Sequence, residues 1–494
     1  MHPAPTSLLI GLFFSSLLLA EDPPDARAAR KVWERSVASP GQDFAGGITV
    51  LPSGDVVLAG GSYFNGTGGD KLSPNYGTLL HDGWIIALDG DGRRKWDLTL
   101  GGDGLDQFTG IVATRDGRLL AVGGSSSPSG PGKTAPLVGI GDLWVAALAA
   151  DGSRLWERSF NPGSRSFGRA ICRDSTNGCF VAGHAETNNS WQGWLLHLDG
   201  QGHRLWDQLY DPAFGPIRAV AANSESHLFW TSENFWIGRA NPTNGALLWA
   251  RRVEKDGEAW GSAAATTRDG GVVVGGEFRS SPVEDGGERF GLLSKWDESG
   301  HRIWEYEFRH PGRIRGVTGL AECEDGGVVA VGHGDLRDRR TVIVRFTPEG
   351  QPLWWQSFRV GFEGWSHGCA RTSEGGWVIL SSGSGPSPDR QGSSVDTNND
   401  LWAVKIAPER TWAQRDPPQL LASRFLGSHL DSNGFRFSLI GTEGLTYVTE
   451  RSKDFAHWEA FSTNTATKTD IKLLDPAAHG HPHGHYRART VEPE

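Results

Sequence analysis

Short apolar runs alternate along most of this chain with polar turns that contain glycine. Residues 83 to 124 show the unit well, because two such turns, Asp91-Gly92 and Asp116-Gly117, separate four short runs. Apolar runs of this length that are bounded by turn residues are typical of β-strands. The unit therefore predicts four short antiparallel strands, and after residue 20 the chain shows no helical periodicity of useful length.

Each repeat can be recognised by a glycine that is followed four residues later by a tryptophan. The glycine suits a hairpin position that requires a positive φ, and the tryptophan begins the next strand, where its large apolar surface can pack between neighbouring repeats. Both roles are structural. The pairs are Gly92 and Trp96, Gly152 and Trp156, Gly202 and Trp206, Gly245 and Trp249, Gly300 and Trp304, and Gly350 and Trp354.

The number of predicted strands indicates how the repeats close into a ring. The first six repeats contain four strands each, whereas the seventh, ending near residue 408, contains three. The strand that it lacks is the one that carries the repeated tryptophan. A strand of this kind, with Trp33, is predicted at residues 32 to 37. We therefore predict an all-β fold, a seven-bladed β-propeller over residues 31 to 410. The N-terminal strand would close it and remove two exposed sheet edges.

The two ends of the chain depart from the repeat. Residues 1 to 20 contain an apolar run too short to span a bilayer, which predicts a secretory signal peptide rather than a buried strand, followed by a linker at 21 to 30. We expect the protein to be secreted, periplasmic or at the cell surface, with no transmembrane segment after signal removal. Residues 411 to 419 form a second predicted linker, and residues 420 to 494 alternate as a small β-sandwich should.

The repeat resembles one found in known proteins. Residues 240 to 249, ANPTNGALLW, resemble the tryptophan-docking repeat A-x-D-x-x-T-G-x-x-x-W of quinoprotein-like (PQQ-type) propellers. The Asp-Leu-Trp segments at 142 to 144 and 400 to 402 resemble repeats of large secreted bacterial propeller proteins. This resemblance implies the fold. Quinoprotein dehydrogenases of this type usually have eight blades and an adjacent cysteine pair, both of which this chain lacks by our prediction, so we do not expect bound PQQ.

The C-terminal segment resembles a β-sandwich module of exported bacterial proteins. That resemblance implies a role in surface sorting, attachment or binding. The residues that carry it are Tyr447, Val448, Ser452, Asp454, Trp458, Tyr486 and Arg487.

Composition excludes one class of partner and leaves the cysteines open. The 68 glycines and 21 tryptophans suit many tight turns and one anchor per repeat. A net charge of -10 argues against nucleic-acid binding, which depends on clustered Lys and Arg. Cys172 and Cys179 flank a predicted hairpin, so they would form a disulfide only if the strand register places them opposite each other. We expect Cys323 and Cys369 to be buried and free.

An aromatic residue recurs just before the first strand of most repeats, often beside an acidic residue. It would either pack between blades or form a ring of stacking surfaces at the channel mouth that suits a glycan, with the acids as hydrogen-bond acceptors. The aromatic residues are Phe44, Phe108, Phe167, Phe214, Trp260 and Trp365. The acidic neighbours are Asp43, Asp106, Glu258 and Glu363.

One stretch has the spacing of a calcium loop. Asp396, Asn398 and Asp400 alternate as the first half of such a loop does, but the turn glycine and the bidentate glutamate are missing. The stretch is therefore either a polar loop or a weak calcium site, and we expect no other cofactor.

Loop length predicts where a ligand would bind. The tight glycine turns lie on one face of the ring, so the long connections, at residues 62 to 82, 124 to 140 and 382 to 399, should form a wall on the other face. These insertions could equally be disordered linkers. The sequence thus leaves two functions open. One is a monomeric, non-enzymatic scaffold that binds a protein or polysaccharide; the other is a propeller enzyme, a quinone-dependent dehydrogenase or a carbohydrate-active lyase or hydrolase.

Overall fold

The fold is described from a computed structural model. It describes residues 30–77, 80–223, 227–281, 288–309, 314–334, 340–359, 365–384, 399–408, 425–431, 434–440, 446–452, 459–465, 470–475 and 485–491. Within these ranges the regular structure is almost entirely β, and Pro212–Phe214 forms a single 3-10 turn. None of the described residues belongs to a helix long and apolar enough to cross a membrane.

Twenty-eight strands form seven antiparallel four-stranded sheets, the blades. Six blades consist of consecutive strands. Blade 1 contains β2 (Asp43–Val50), β3 (Val56–Ser62), β4 (Asp82–Leu88) and β5 (Arg94–Leu100); blade 2 contains β6 (Asp106–Ala113), β7 (Leu119–Ser125), β8 (Asp142–Leu148) and β9 (Arg154–Phe160); blade 3 contains β10 (Arg165–Arg173), β11 (Cys179–Thr187), β12 (Ser190–Leu198) and β13 (Arg204–Leu209). Blade 4 contains β14 (Ile217–Ala222), β15 (Leu228–Ser232), β16 (Trp236–Ala240) and β17 (Leu247–Arg252); blade 5 contains β18 (Gly257–Thr266), β19 (Val272–Ser280), β20 (Arg289–Trp296) and β21 (Arg302–Glu307); blade 6 contains β22 (Gly316–Glu322), β23 (Val328–His333), β24 (Arg340–Phe346) and β25 (Pro352–Arg359).

Blade 7 joins the two ends of the propeller. It contains β26 (Trp365–Arg371), β27 (Trp377–Ser384), β28 (Asn399–Ile406) and, as its outer strand, β1 (Lys31–Val37). Strand β1 is antiparallel to β28, and Val37 lies opposite Leu401. The first strand of each blade contacts the first strand of the next, and β26 contacts β2, so the ring is closed. The predicted seven-bladed propeller with N-terminal closure is therefore confirmed.

The apolar core lies between the blades. The described residues form seven buried apolar clusters, and each contains residues of two neighbouring blades. In the cluster between blades 7 and 1, Val37 and Trp84 are both 0% exposed. Burial of apolar area is the dominant favourable term in folding, so each blade is stabilised mainly by its two neighbours.

The repeated tryptophans link each blade to the next. The Trp96 indole of blade 1 donates from Nε1 to the Ala150 carbonyl in a turn of blade 2, at 3.1 Å. Its ring lies against Gly152, where a Cβ would come within 2.8 Å of it. The same donation, to a carbonyl in the corresponding turn of the next blade, is made by Trp33, Trp156, Trp206, Trp249 and Trp304. Trp354 is buried in the cluster between blades 6 and 7.

The C-terminal segment contributes two three-stranded antiparallel sheets. One has the order β29 (Phe425–Asp431), β30 (Gly434–Ile440), β33 (Asp470–Asp475), and the other has the order β32 (Glu459–Thr465), β31 (Thr446–Ser452), β34 (His485–Val491). Their arrangement as a sandwich remains a prediction.

The register of blade 3 does not join Cys172 to Cys179. Cys172 lies opposite Phe180 and Cys179 lies opposite Arg173, a shift of one residue. Because successive side chains of a strand point to opposite faces, the two thiols lie in different clusters, between blades 3 and 4 and between blades 2 and 3. None of the four cysteines forms a disulfide, which corrects the pairing considered for Cys172 and Cys179; Cys323 is buried as expected, whereas Cys369 is only partly buried.

Candidate functional site

The inner strands define the wall of the central channel, and each carries a β-bulge at the same place. In β2, for example, Ala45 lies opposite Gly60 and Gly47 lies opposite Ala59, which leaves Gly46 unpaired. The bulge residue and the residue two positions before it are partly exposed in most blades, whereas the residue between them is buried. The bulge residues are Gly46, Thr109, Arg169, Arg218, Ser262, Thr318 and His367.

The predicted ring of aromatic residues is split by this register. Phe44, Trp260 and Trp365 lie two positions before the bulge, and Trp365 is 44% exposed. Phe108 lies one position before it. Its side chain therefore points into the space between blades 1 and 2, where it is 1% exposed and stacks on Trp144 at 4.7 Å between ring centroids. Phe108 is a core residue in this structure.

The acidic residues beside these aromatic residues also fall into two groups, buried and exposed. Asp43 is 1% exposed and accepts hydrogen bonds from the Ser39 backbone N (2.6 Å) and hydroxyl (2.8 Å). Asp106 is 0% exposed and accepts from the Gly102 backbone N (2.9 Å) and the Ser127 hydroxyl (2.6 Å). Both carboxylates hold connections between strands, so they are not acceptors at the channel mouth.

Glu258 differs from those two acids. Its side chain is 50% exposed and lies 3.7 Å from the Arg279 guanidinium. Glu363 lies outside the described residues. Of the proposed acceptors that the structure describes, Glu258 alone presents a carboxylate to solvent.

The stretch considered for calcium falls mostly outside the described residues, which include neither Asp396 nor Asn398. Asp400 is the second residue of β28, is 4% exposed, and accepts a hydrogen bond from the Ser36 hydroxyl of β1 at 3.1 Å. This contact helps to join the ends of the propeller. In the part of the chain that the structure describes, no group of three or more His, Cys, Asp or Glu side chains could hold a metal ion.

The two long loops of blades 1 and 2 are built around buried lysines. Lys71 and Lys133 are each 0% exposed, and each ends a Gly-x-x-Lys turn in the connection between the second and third strands. Lys133 Nζ donates to the Ser127 and Ala135 carbonyls at 3.0 and 2.8 Å. Lys71 Nζ donates to Thr99 Oγ1 at 2.9 Å and to the Ser73 carbonyl. These two insertions, which are rich in Gly, Ser and Pro, therefore fold around a buried lysine and do not act as linkers. Residues 385 to 398 of the third lie outside the description.

The structural role of these buried lysines was not predicted, although the sequence contains a signal for it. The segments GGDK at 68 to 71 and GPGK at 130 to 133 occur at corresponding places in adjacent repeats. A lysine recurring at one position of two long insertions indicates a structural role for it.

Burial changes the acid-base properties of this region. Burial lowers the pKa of Lys71 to about 8, although neighbouring carboxylates oppose the change. Burial raises the pKa of Asp43 to about 6. It likewise raises the pKa of Asp82 to about 6, with a contribution from the like charge of Asp106. The charged form of Asp82 is therefore unfavourable at neutral pH in the folded protein.

Replacing Asp82 by asparagine should stabilise the propeller at pH 7.5 and lose this advantage toward pH 4. An acid whose folded pKa is raised from 3.8 to about 6 binds more protons when folded across that window, so its charge costs stability above pH 6 and not below pH 4. The amide oxygen can still accept the hydrogen bond from the Tyr76 backbone N (2.6 Å). Urea unfolding of Asp82→Asn, the wild type and the exposed control Asp103→Asn at pH 7.5, 6 and 4 checks this. An advantage of Asp82→Asn that is equal at all three pH values would contradict it.

The two long loops form one continuous wall. The Tyr76 ring of the first loop lies against Gly132 of the second, where a Cβ would be 2.2 Å from it. The Gly101 backbone N, between the blades, donates to the Gly132 carbonyl at 3.0 Å. Several large apolar side chains of this wall are exposed to solvent. They are Tyr63 (45%), Leu72 (54%), Tyr76 (45%), Leu105 (46%), Val138 (60%) and Ile140 (62%).

Comparison with known proteins gives no family for this chain. No protein-family model matches this chain, and no curated protein matches it. Similar solved structures include the WD40 β-propeller domain of Doa1 (11% identity, 78% of this chain and 98% of that one, TM-score 0.47). They also include the RRP9 WD40 repeats (11%, 76% and 99%, 0.49) and U3-55K (11%, 75% and 98%, 0.49). The chain is a seven-bladed β-propeller protein by its own sheet topology.

Proposed function

We propose that this chain is an exported, non-enzymatic binding or scaffold protein that recognises a partner through its long-loop wall. The observation that carries the proposal is the set of six exposed apolar side chains on two loops that contact each other and on the connection between them. Exposed apolar residues that are grouped in this way are typical of protein-binding surfaces. A protein is therefore the first candidate partner, and a polysaccharide is the second.

A second set of exposed aliphatic residues does not favour binding elsewhere. In each of several blades, the residue that precedes the repeated tryptophan of the outer strand is exposed. Each of these residues lies on the outer strand of a different blade, a surface that we call the rim. Isolated exposed apolar residues of this kind are common on protein surfaces. They are Val32, Leu155, Leu205, Leu248 and Ile303.

The enzyme alternative has less support. A lyase or hydrolase would need a pair of acid-base groups that a substrate can reach. Asp82 and Asp106, whose charges affect each other, are both 0% exposed, so a substrate at the surface would not contact them. Quinone-dependent activity has no support beyond the repeat resemblance. Export, a monomeric state, weak calcium binding at residues 396 to 400 and an attachment role for the C-terminal sheets are further proposals that rest on the sequence.

Removing apolar side chains from the wall should abolish partner binding, whereas removing equivalent side chains from the rim should not. The wall variant is Leu72→Ser, Val138→Ser, Ile140→Ser, and the rim control is Leu155→Ser, Leu205→Ser, Ile303→Ser; the exposures are 54 to 62% and 48 to 57%. Loss of several central contacts should weaken binding by about tenfold or more. Binding of the immobilised wild type and both variants is measured against secreted and surface proteins of the producing cells and against a panel of polysaccharides.

Both triple variants should keep the wild-type thermal midpoint, because all six side chains are largely exposed. Equal binding by the wall variant and the wild type would exclude the wall as the binding surface. Turnover of a polysaccharide on the panel by the folded wild type would favour the enzyme alternative.

A further inference from the structure

Two arginines lie side by side in the ring of bulge residues. Arg169 and Arg218 occupy the same position in the inner strands of blades 3 and 4, and these strands contact each other. Other members of the ring use their side chains within the protein. Thr109 donates from its hydroxyl to the Gly168 carbonyl at 2.8 Å, and Ser262 donates to the Val317 carbonyl at 2.6 Å. The arginine pair is the only concentration of positive charge in this ring.

Among the described residues, Arg169 lacks an ion-paired anion, although the Glu233 carboxylate is near enough to act on its charge. The described residues offer its guanidinium neither a hydrogen bond nor an ion pair, and its Nε is buried without a partner. It lies 4.7 Å from the centroid of the Phe167 ring. Arg218, in contrast, donates from Nη2 to Glu233 Oε1 at 2.6 Å. Two guanidinium groups therefore share one carboxylate, and one positive charge remains without compensation.

Among the described residues, the surroundings of Arg169 provide no anion besides Glu233. The nearby His184 is 9% exposed, and its Nδ1 is buried without a partner. Burial and the charges of Arg169 and Arg218 lower the pKa of His184 to about 3, so its ring is neutral at physiological pH. Burial and the charge of Arg218 lower the pKa of Arg169 to about 10, so Arg169 stays protonated. A largely buried cation is unfavourable unless an anion is paired with it.

A column of aromatic rings connects this charge to the surface. Trp191 is the second residue of β12, beside the tight turn that links β12 to β11, and it is 42% exposed. Its ring meets His184 edge-on at 4.9 Å between centroids, and His184 lies 6.0 Å from Phe167. An apolar indole surface thus lies at one end of the column, and an unpaired guanidinium lies at the other.

We propose that this site binds an acidic oligosaccharide, with the carboxylate of one sugar residue at Arg169 and Arg218 and the ring of a neighbouring sugar residue near Trp191. A single carboxylate balances the single uncompensated charge, and the planar guanidinium matches a carboxylate in two parallel hydrogen bonds. The exposed indole supplies an apolar face for the sugar ring. The site belongs to blades 3 and 4, whereas the wall belongs to blades 1 and 2, so it does not depend on the proposed function.

Titration of the full chain with trigalacturonate, followed by calorimetry and by the thermal midpoint, tests this proposal. Trigalacturonate should bind and raise the midpoint, and the neutral galactose trimer with the same linkages should do neither. Arg169→Gln and Arg218→Gln should each weaken binding by about tenfold or more, the usual effect of losing a hydrogen bond between charged groups. The matched control is Arg251→Gln, whose guanidinium lies 5.8 Å from the Trp249 ring on an outer strand, and it should leave the affinity unchanged.

Without ligand, Arg169→Gln should keep or raise the thermal midpoint, because it removes an unpaired buried charge. If that variant does not fold, Trp191→Ala, which alters an exposed side chain, should still lower the affinity. The wall variant should bind trigalacturonate as the wild type does, so failure of one proposal is distinguishable from failure of the other. Absence of trigalacturonate binding, or binding unaffected by Arg169→Gln and Arg218→Gln, would overturn the proposal. Equal binding of triglutamate would overturn the assignment to a sugar.

Discussion

Removal of residues 31 to 37 should open the propeller and make the protein aggregate. Strand β1 pairs along β28 from Lys31 opposite Ile406 to Val37 opposite Leu401, so its loss exposes an edge of blade 7. The deletion also removes Trp33, which donates to the Gly90 carbonyl at 2.9 Å, and Val37, which is 0% exposed. Together these losses should cost about 5 kcal/mol or more, at least a third of the stability of a typical domain.

The deletion is measured against a chain that begins at Arg30. That control lacks only the predicted signal peptide and most of the predicted linker, and it should keep the full-length thermal midpoint. The deleted protein should show a much lower midpoint and should elute as aggregates. A synthetic peptide of residues 30 to 38, added in excess, should restore part of the stability by pairing with β28. An unchanged midpoint after deletion would show that β1 does not hold the ring closed.

The sequence could predict ring closure because the relevant signals are local and repeated. A glycine and a tryptophan four residues apart define one hairpin, and the same spacing recurs in six repeats. Trp33 lacks a preceding glycine of this kind, which marks β1 as an outer strand without its own blade. Burial of these strands between neighbouring blades then follows, because a strand with apolar side chains on both faces must be covered on both faces.

The candidate site was harder to predict because it depends on single-residue register. Phe44 and Phe108 both lie near the start of their strands, but the bulge comes two residues after the first and one residue after the second. A shift of one residue reverses the face of a side chain, so the Phe44 ring is partly exposed and lies against His81, whereas the Phe108 ring is buried in the core. The pairing of Cys172 and Cys179 depended on the register in the same way, and the sequence left it open.

The charged groups were missed for another reason. Lysines in polar loops are normally solvated, and nothing local showed that Lys71 and Lys133 would be enclosed by their own loops. Arg169 and Arg218 lie 49 positions apart in the sequence, and only the ring brings them together. Their juxtaposition depends on the tertiary fold, as sites on repeat scaffolds commonly do.

The contact between tryptophan and glycine joins neighbouring blades, and two glycines allow it to be measured. Gly152 has a φ of +86°, and a Cβ there would lie 2.8 Å from the Trp96 ring. Gly117 has nearly the same φ, +84°, but a Cβ there would meet nothing within 4 Å. Alanine at Gly117 therefore reports the backbone cost alone, whereas alanine at Gly152 also displaces the indole.

Gly152→Ala should destabilise the propeller by about 3 kcal/mol, and Gly117→Ala by about 1 kcal/mol. The left-handed conformation destabilises both variants by about 1 kcal/mol. Displacement of the packed indole further destabilises only Gly152→Ala. Trp96→Ala should itself cost about 3 kcal/mol. Once Trp96 has been removed, Gly152→Ala should cost no more than Gly117→Ala, so the double-mutant cycle should give a coupling of about 2 kcal/mol. Urea unfolding of the wild type, the three single variants and the double variant measures these values. Equal costs for the two glycine substitutions in the wild type would mean that the indole contributes nothing at this turn, and the proposed linkage between blades would then have to rest on the apolar clusters alone.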